Sequence, residues 1–186
     1  LPSAHTRVII RFQDPCMTLF FNDQRVFGWL KVVDQDQKKL ELSQYGPDIN
    51  SPTLTAETFW LGLQRSRLPI KVRLMDGSFV AGVGNIYACD ALNLAGISPF
   101  RPSNTLSKKE ASALYSAAVA VIQKGIALHG TTFDGKYVGI DGFAGGYQAE
   151  VLAYGRKDQP CKQCGTIIQK ERLAGRGTYY CPACQK

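Results

Sequence analysis

Acidic residues are scarce in this chain. Fifteen Asp and Glu stand against twenty-two Lys and Arg, a net charge of +7 over 186 residues. That balance points to nucleic acid or another anionic surface as a partner, without choosing between them. No apolar run reaches membrane-spanning length, which excludes a spanning helix, and the first residues lack the form of a signal peptide. No Gly-Lys-Ser/Thr follows the glycine turn at Gly82 and Gly84, which excludes the phosphate-binding loop of nucleotide hydrolases. Outside the last quarter there are only two cysteines, Cys16 and Cys89, and no motif pairs them. A disulfide framework is therefore not expected, and a reducing cytoplasm suits the chain. The length allows one large or two small domains.

The most specific pattern lies at the end. Cys161-Lys-Gln-Cys164 and Cys181-Pro-Ala-Cys184 are separated by sixteen residues. Two such knuckles at that distance read as one tetrahedral Zn2+ site of four thiolates, the alternative being two disulfides. The intervening residues suffice for a β-hairpin, Thr166 to Lys170 out and Gly177 to Tyr180 back. From Gly155 to Lys186 seven basic residues face only Asp158 and Glu171. Arg176, between Gly175 and Gly177, is expected at the hairpin turn. It reads either as part of a solvated basic surface or as a cation held out to meet phosphate.

Residues 1–34 read as three strands: Arg7 to Gln13, Thr18 to Asn22 and Val26 to Val33. Three strands are too few to close a sandwich, so the start of this domain is expected to be absent. Arg25 and Phe27, two apart on extended chain, point the same way. Either Phe27 is core and Arg25 surface, or the ring enters a DNA stack while the guanidinium bonds a base edge. The polar stretch 35–52, with Gly46-Pro47 and Ser51-Pro52, is the expected boundary. Beyond it Thr55 caps a helix running to about Arg65, with Phe59, Trp60 and Leu63 as its stripe. Arg65, Arg67, Lys71 and Arg73 follow as a basic run, a solvated face or a phosphate track. Gly82 and Gly84 open a helix from Asn85 through Leu94, whose start reads either as a generic cap or as an anion site of free N–H groups to which the Asn85 amide adds a donor. Ser107 and Glu110 form a capping box. The helix they open, to about His129, packs through Ala111, Leu114, Ala118, Val121, Ile122 and Ile126. His129 reads as structural. The glycine-rich stretch 130–146 reads as a mobile loop of the kind that serves as a lid.

Taken together, Asp23-Gln-Arg-Val-Phe-Gly28, Gly82-Val-Gly-Asn-Ile-Tyr87, Gly130-Thr-Thr132, Val151-Leu-Ala-Tyr-Gly-Arg156 and the finger with Gly175-Arg-Gly-Thr178 closely resemble the bacterial formamidopyrimidine-DNA glycosylase and endonuclease VIII family. The resemblance covers essentially the whole chain. It implies an α+β chain built from a partial β-sandwich (1–45), a helix-two-turn-helix domain (46–152) and a C-terminal β-hairpin zinc finger (153–186). It implies base-excision repair of oxidised purines by glycosylase and β,δ-elimination lyase chemistry on duplex DNA, one structural Zn2+, and a monomer in the bacterial cytoplasm, at the nucleoid. His5, Arg25, Phe27, Arg67, Lys71, Asn85 and Arg176 match DNA-contacting positions, Arg67 only to within a position. Arg176 also matches the arginine assigned to δ-elimination, Arg25 the one facing the orphaned cytosine, and Phe27 the wedge. The loop 130–146 resembles the one closing over the flipped base.

The chain departs from that pattern at its start. Leu1-Pro2-Ser3 offers no terminal Pro-Glu pair, and the family's nucleophile, its acid and the sandwich lysine have no counterpart here. The expectation is a piece of a repair glycosylase that keeps the DNA grip without lyase activity. A natural non-catalytic DNA-binding relative and a zinc-ribbon adaptor for RNA or protein are the competing readings.

Overall fold

The computed structural model describes residues 2–132 and 144–186. The central part of the glycine-rich stretch 130–146 lies outside the described residues, and with it the lid expectation. The chain packs as two compact units, Leu1–Glu41 and Leu42–Lys186.

In the first unit β1 (Thr6–Phe12) pairs antiparallel with β2 (Met17–Asn22), Phe12 opposite Met17. The expected third strand, Val26 to Val33, is not formed: among the described residues this sheet has two strands. Its β-branched and aromatic residues gave the right composition, but composition does not supply a neighbour to pair with. Val26, Phe27, Trp29, Leu30 and Val32 are all exposed. The carboxylate of Asp23 instead takes the N–H groups of Arg25, Val26 and Gly28, at 3.0, 2.8 and 2.6 Å. It thereby winds the chain into a turn. The expected polar boundary carries a helix, α1 (Gln35–Ser43), none of whose residues is buried. The Asp34 side chain starts it by accepting the Gln37 N–H at 2.8 Å.

The second unit has a core of its own. Five helices are named across the two units among the described residues, and four follow the boundary: α2 (Ala56–Gln64), α3 (Ile70–Leu74), α4 (Asn85–Ala95) and α5 (Lys108–Ala127). The Thr55 cap holds as expected, its hydroxyl accepting the Thr58 N–H, and Phe59 and Leu63 are buried. The Ser107–Glu110 capping box opens α5. Ala111, Leu114, Ala118, Val121 and Ile122 of its expected stripe are buried, but Ile126 is exposed and Gly125 takes the inward position. A Cβ at Gly125 would sit 2.4 Å from the Tyr87 hydroxyl, so the close approach of α5 to α4 needs glycine there.

The finger completes the unit. β3 (Gln169–Leu173) pairs with β4 (Arg176–Tyr180), Leu173 opposite Arg176. Only Ala174 and Gly175 lie between, at φ +46° and +77°. Positive φ at both central residues is the two-residue turn that matches strand twist. Arg176 therefore opens β4 immediately after the turn, rather than standing at its apex.

Candidate nucleic-acid interface and zinc site

The four sulfurs of Cys161, Cys164, Cys181 and Cys184 all lie within 4.8 Å of one another. The Cys164 and Cys181 sulfurs are 3.5 Å apart, too far for a disulfide and near the edge of a tetrahedron with Zn–S of about 2.3 Å. The backbone N–H groups of Gln163 and Cys184 point at the sulfurs of Cys161 and Cys181, both at 3.4 Å. Such donors stabilise thiolate ligands, so these residues fit one closed Zn2+ site. Around it the finger buries little apolar surface, chiefly Ala153 and Ile168 besides the cysteines.

The opening of α4 follows from its sequence. Gly84 is the N-cap and has no side chain to turn toward the first-turn N–H groups. The space where its Cβ would sit is empty to 4 Å. A positive helix end is thus left open to an anion. The Asn85 amide also donates to the Gly177 carbonyl of β4, at 3.2 Å. Lys71 Nζ donates to the same carbonyl at 3.1 Å and to Thr178 Oγ1 at 2.8 Å. Two side chains from the helices therefore hold the backbone immediately after Arg176, which itself is exposed.

Lys71 departs from the expectation of a DNA-facing cation: it is 1% exposed. Burial pushes its ammonium below the usual lysine value, the Arg176 charge adds to that push, and the Cys89 thiol opposes it. Cys89, also buried, is raised by the same loss of solvent. The basic run of which Lys71 is part divides three ways. Arg65 and Arg67 are exposed. Arg73 pairs with Asp76 at 2.6 Å and lies over the Phe79 ring.

In the first unit, the Asp23 turn carries Arg25 and Phe27. The N–H groups of Gly28, and then of Val26 and Arg25, hold the Asp23 carboxyl below its ordinary range. The chain is not extended here, since Val26 has φ +56°. The turn nevertheless sets the Arg25 guanidinium over the Phe27 ring, 4.8 Å from its centroid, and leaves that ring 76% exposed. Phe27 packs in no core among the described residues. His5 is exposed, and its carbonyl accepts the Asp23 N–H at 2.9 Å, which ties it to the base of the turn.

Sequence reasoning passed over Asp90. Fully buried in α4, it accepts the Leu152, Ala153 and Tyr154 N–H groups and the Tyr147 hydroxyl, all at 2.9–3.0 Å. It fastens the segment leading into the finger onto α4. A lone acid in an apolar helix pattern was the only signal available.

Comparison with known proteins agrees with this architecture. Residues 45–136 match the description "Formamidopyrimidine-DNA glycosylase H2TH domain", and residues 158–186 match "Zinc finger found in FPG and IleRS". The chain is 44% identical to the formamidopyrimidine-DNA glycosylase of Synechococcus sp. over 98% of its own length, and spans 66% of that protein. The crystal structure of the MutM (Fpg) protein from Thermus thermophilus superposes with a TM-score of 0.91 at 39% identity, covering 100% of this chain and 70% of that one. Two Lactococcus lactis Fpg complexes each superpose with a TM-score of 0.89 at 31% identity, over 100% of this chain and 68% of theirs. One holds DNA containing an abasic site, and the other, a mutant, holds DNA containing Fapy-dG.

Proposed function

The chain belongs to the formamidopyrimidine-DNA glycosylase family, and we propose that it supplies the DNA grip of a base-excision repair glycosylase and abasic-site lyase for oxidised purines. Its ligand is duplex DNA carrying a damaged or missing base, in keeping with the abasic-site and Fapy-dG DNA held by the Lactococcus lactis Fpg complexes. The convergence of Asn85 and Lys71 on the Gly177 carbonyl carries the reading. It sets an exposed arginine, Arg176, beside an open helix start whose N–H groups suit a phosphate. Arg67 adds to the basic surface, and Arg176 is assigned to δ-elimination. Lys71 acts through the hairpin rather than on DNA.

In the first unit His5, Arg25 and Phe27 form the part that enters a stack. Unpairing a base costs a few kcal/mol, and an exposed ring able to fill the gap offsets it. The three-part organisation, 1–45, 46–152 and 153–186, follows this division of labour. The protein acts as a monomer in the bacterial cytoplasm, at the nucleoid. No described helix is long and apolar enough to cross a membrane.

The test is borohydride trapping on a duplex with one abasic site, run beside a binding titration. Borohydride reduces a Schiff base to a permanent crosslink. These 186 residues contain no terminal Pro-Glu pair. The expected outcome is tight binding without a crosslink. A crosslink would show that the chain carries its own amine nucleophile. No preference for the abasic duplex over plain duplex would instead favour the zinc-ribbon adaptor.

A further inference from the structure

We propose that the buried amide pair Asn93 and Gln185 is a positioning device that seats the zinc finger on α4 and so aligns Arg176 with the start of that helix. The proposal rests on the DNA-grip reading above and adds residues to it. α4 is eleven residues long, about 16 Å at 1.5 Å per residue. The finger grips it at both ends. Beside its N-terminal end Asn85 of α4 and Lys71 of α3 both donate to the Gly177 carbonyl, and Lys71 also to Thr178. At the C-terminal end the contact is Gln185, beside two backbone bonds of Lys186, its N–H donating to the Gly96 carbonyl at 3.1 Å and its carbonyl accepting the Ser98 N–H at 2.9 Å. The Gln185 Oε1 accepts the backbone N–H of the zinc-ligand residue Cys181 at 2.7 Å and the Asn93 amide at 3.1 Å. Its Nε2 donates to the Ile97 carbonyl at 2.9 Å. The other knuckle reaches the same point, Gln163 Nε2 donating to the Asn93 carbonyl at 3.2 Å. Asn93 is 1% exposed and Gln185 4%.

Contacts at the Gly177 and Thr178 end alone, all within two adjacent residues, would leave the finger free to pivot about them. The contacts at the far end of the helix remove that freedom, and among them the Asn93–Gln185 pair is the one that also holds a zinc-ligand residue. The choice of amides fits the task. Apolar packing tolerates sliding, whereas a buried amide whose partners are all fixed has one low-energy placement. Because Gln185 holds the backbone of a metal ligand, the geometry of the zinc knuckle is transmitted to α4 directly. Asn93 and Gln185 touch no DNA in this scheme. They act through Arg176.

The experiment uses the zinc-loaded chain with Gln185→Met and, as a milder change on an exposed residue, Gln163→Ala. Zinc content, amide hydrogen exchange without DNA, and affinity for an abasic-site duplex are measured. Zinc is expected to remain at one per chain. Exchange across 176–180 should rise several-fold, and affinity should fall by roughly tenfold for Gln185→Met and less for Gln163→Ala. Adding either change to Arg176→Ala should weaken binding little further, because both act through the same arginine. A purely stabilising role would lower the melting temperature and leave that non-additivity absent. Zinc-loaded variants with unchanged exchange at 176–180, or losses additive with Arg176→Ala, would overturn the proposal. If Gln185→Met fails to hold zinc, Gln163→Ala decides by the same criteria. If the parent binds no duplex, the DNA-grip reading fails, and the exchange measurement still decides this one.

Discussion

Arg176 and Lys71 are neighbours in space with opposite fates. Arg176 is exposed on the first residue of β4, while Lys71 is buried beneath the next two. Arg176→Ala should weaken duplex binding across sequences and reduce the salt slope by about one, since one phosphate contact is lost. Titrations at several salt concentrations check this, and an unchanged slope would exclude a phosphate role. Lys71 calls for a different test. Burial depresses its ammonium from 10.5, so between that depressed value and 10.5 the unfolded chain holds more protons than the folded one. Stability from this group therefore rises with pH in that window. Lys71→Met removes the term. The stability of the parent minus that of the variant should grow from about pH 7 to about pH 10 in denaturant melts. A difference that shrank would mean Lys71 is held charged by a partner. The same variant should bind DNA more weakly, because the Thr178 hydroxyl loses its donor and the strand carrying Arg176 loosens.

Among the elements, the β3–β4 hairpin carries a visible local cost. Ala174 sits at φ +46°, where an L-residue with a Cβ is disfavoured by about 1–2 kcal/mol relative to glycine. Ala174→Gly should therefore stabilise the finger by on the order of 1 kcal/mol less the extra chain entropy of glycine. Slower zinc release to a chelator is the measurable consequence, and faster release would show that the turn is held by something other than its own backbone. What was legible in the sequence divides along the same line. Periods and caps are local: Thr55, Ser107–Glu110, the glycine-opened α4 and the cysteine knuckles could each be read from a few residues, and each stands in the structure. Partners distant in sequence could not. The stretch 26–33 has strand composition, but nothing local shows whether a neighbour exists. Lys71 lies in a basic run that reads as surface, yet residues 106 and 107 positions away cover it. Asp90, Asn93 and Gln185 are silent for the same reason, since each is explained only by the segment folded onto it.

At the scale of the molecule, the second unit joins a large helical core to a finger that has almost none. The helices bury Ile49, Phe59, Leu63, Ile70, Leu74, Leu92 and Leu114 in one cluster. The finger buries Ala153 and Ile168 around its cysteines. At about 25 cal/mol per Å2 of apolar surface, two such side chains cannot offset the ordering of some thirty residues, so the metal, together with the docking bonds to the helices, must supply the difference. Chelation should accordingly melt the finger and leave the helices standing. Far-UV circular dichroism at the helical band should change little, while binding to an abasic-site duplex is abolished. Removing the finger also uncovers Lys71, whose ammonium gains solvent when Thr178 leaves it. The helical core therefore loses a docked face but is relieved of a buried charge. Collapse of the helical signal together with zinc release would mean that the contacts of Asn93, Asp90 and Lys71 with the C-terminal segments are needed for the helices to fold at all. Full retention of DNA binding in the zinc-free chain would remove the finger from the grip altogether, and Arg176 with it.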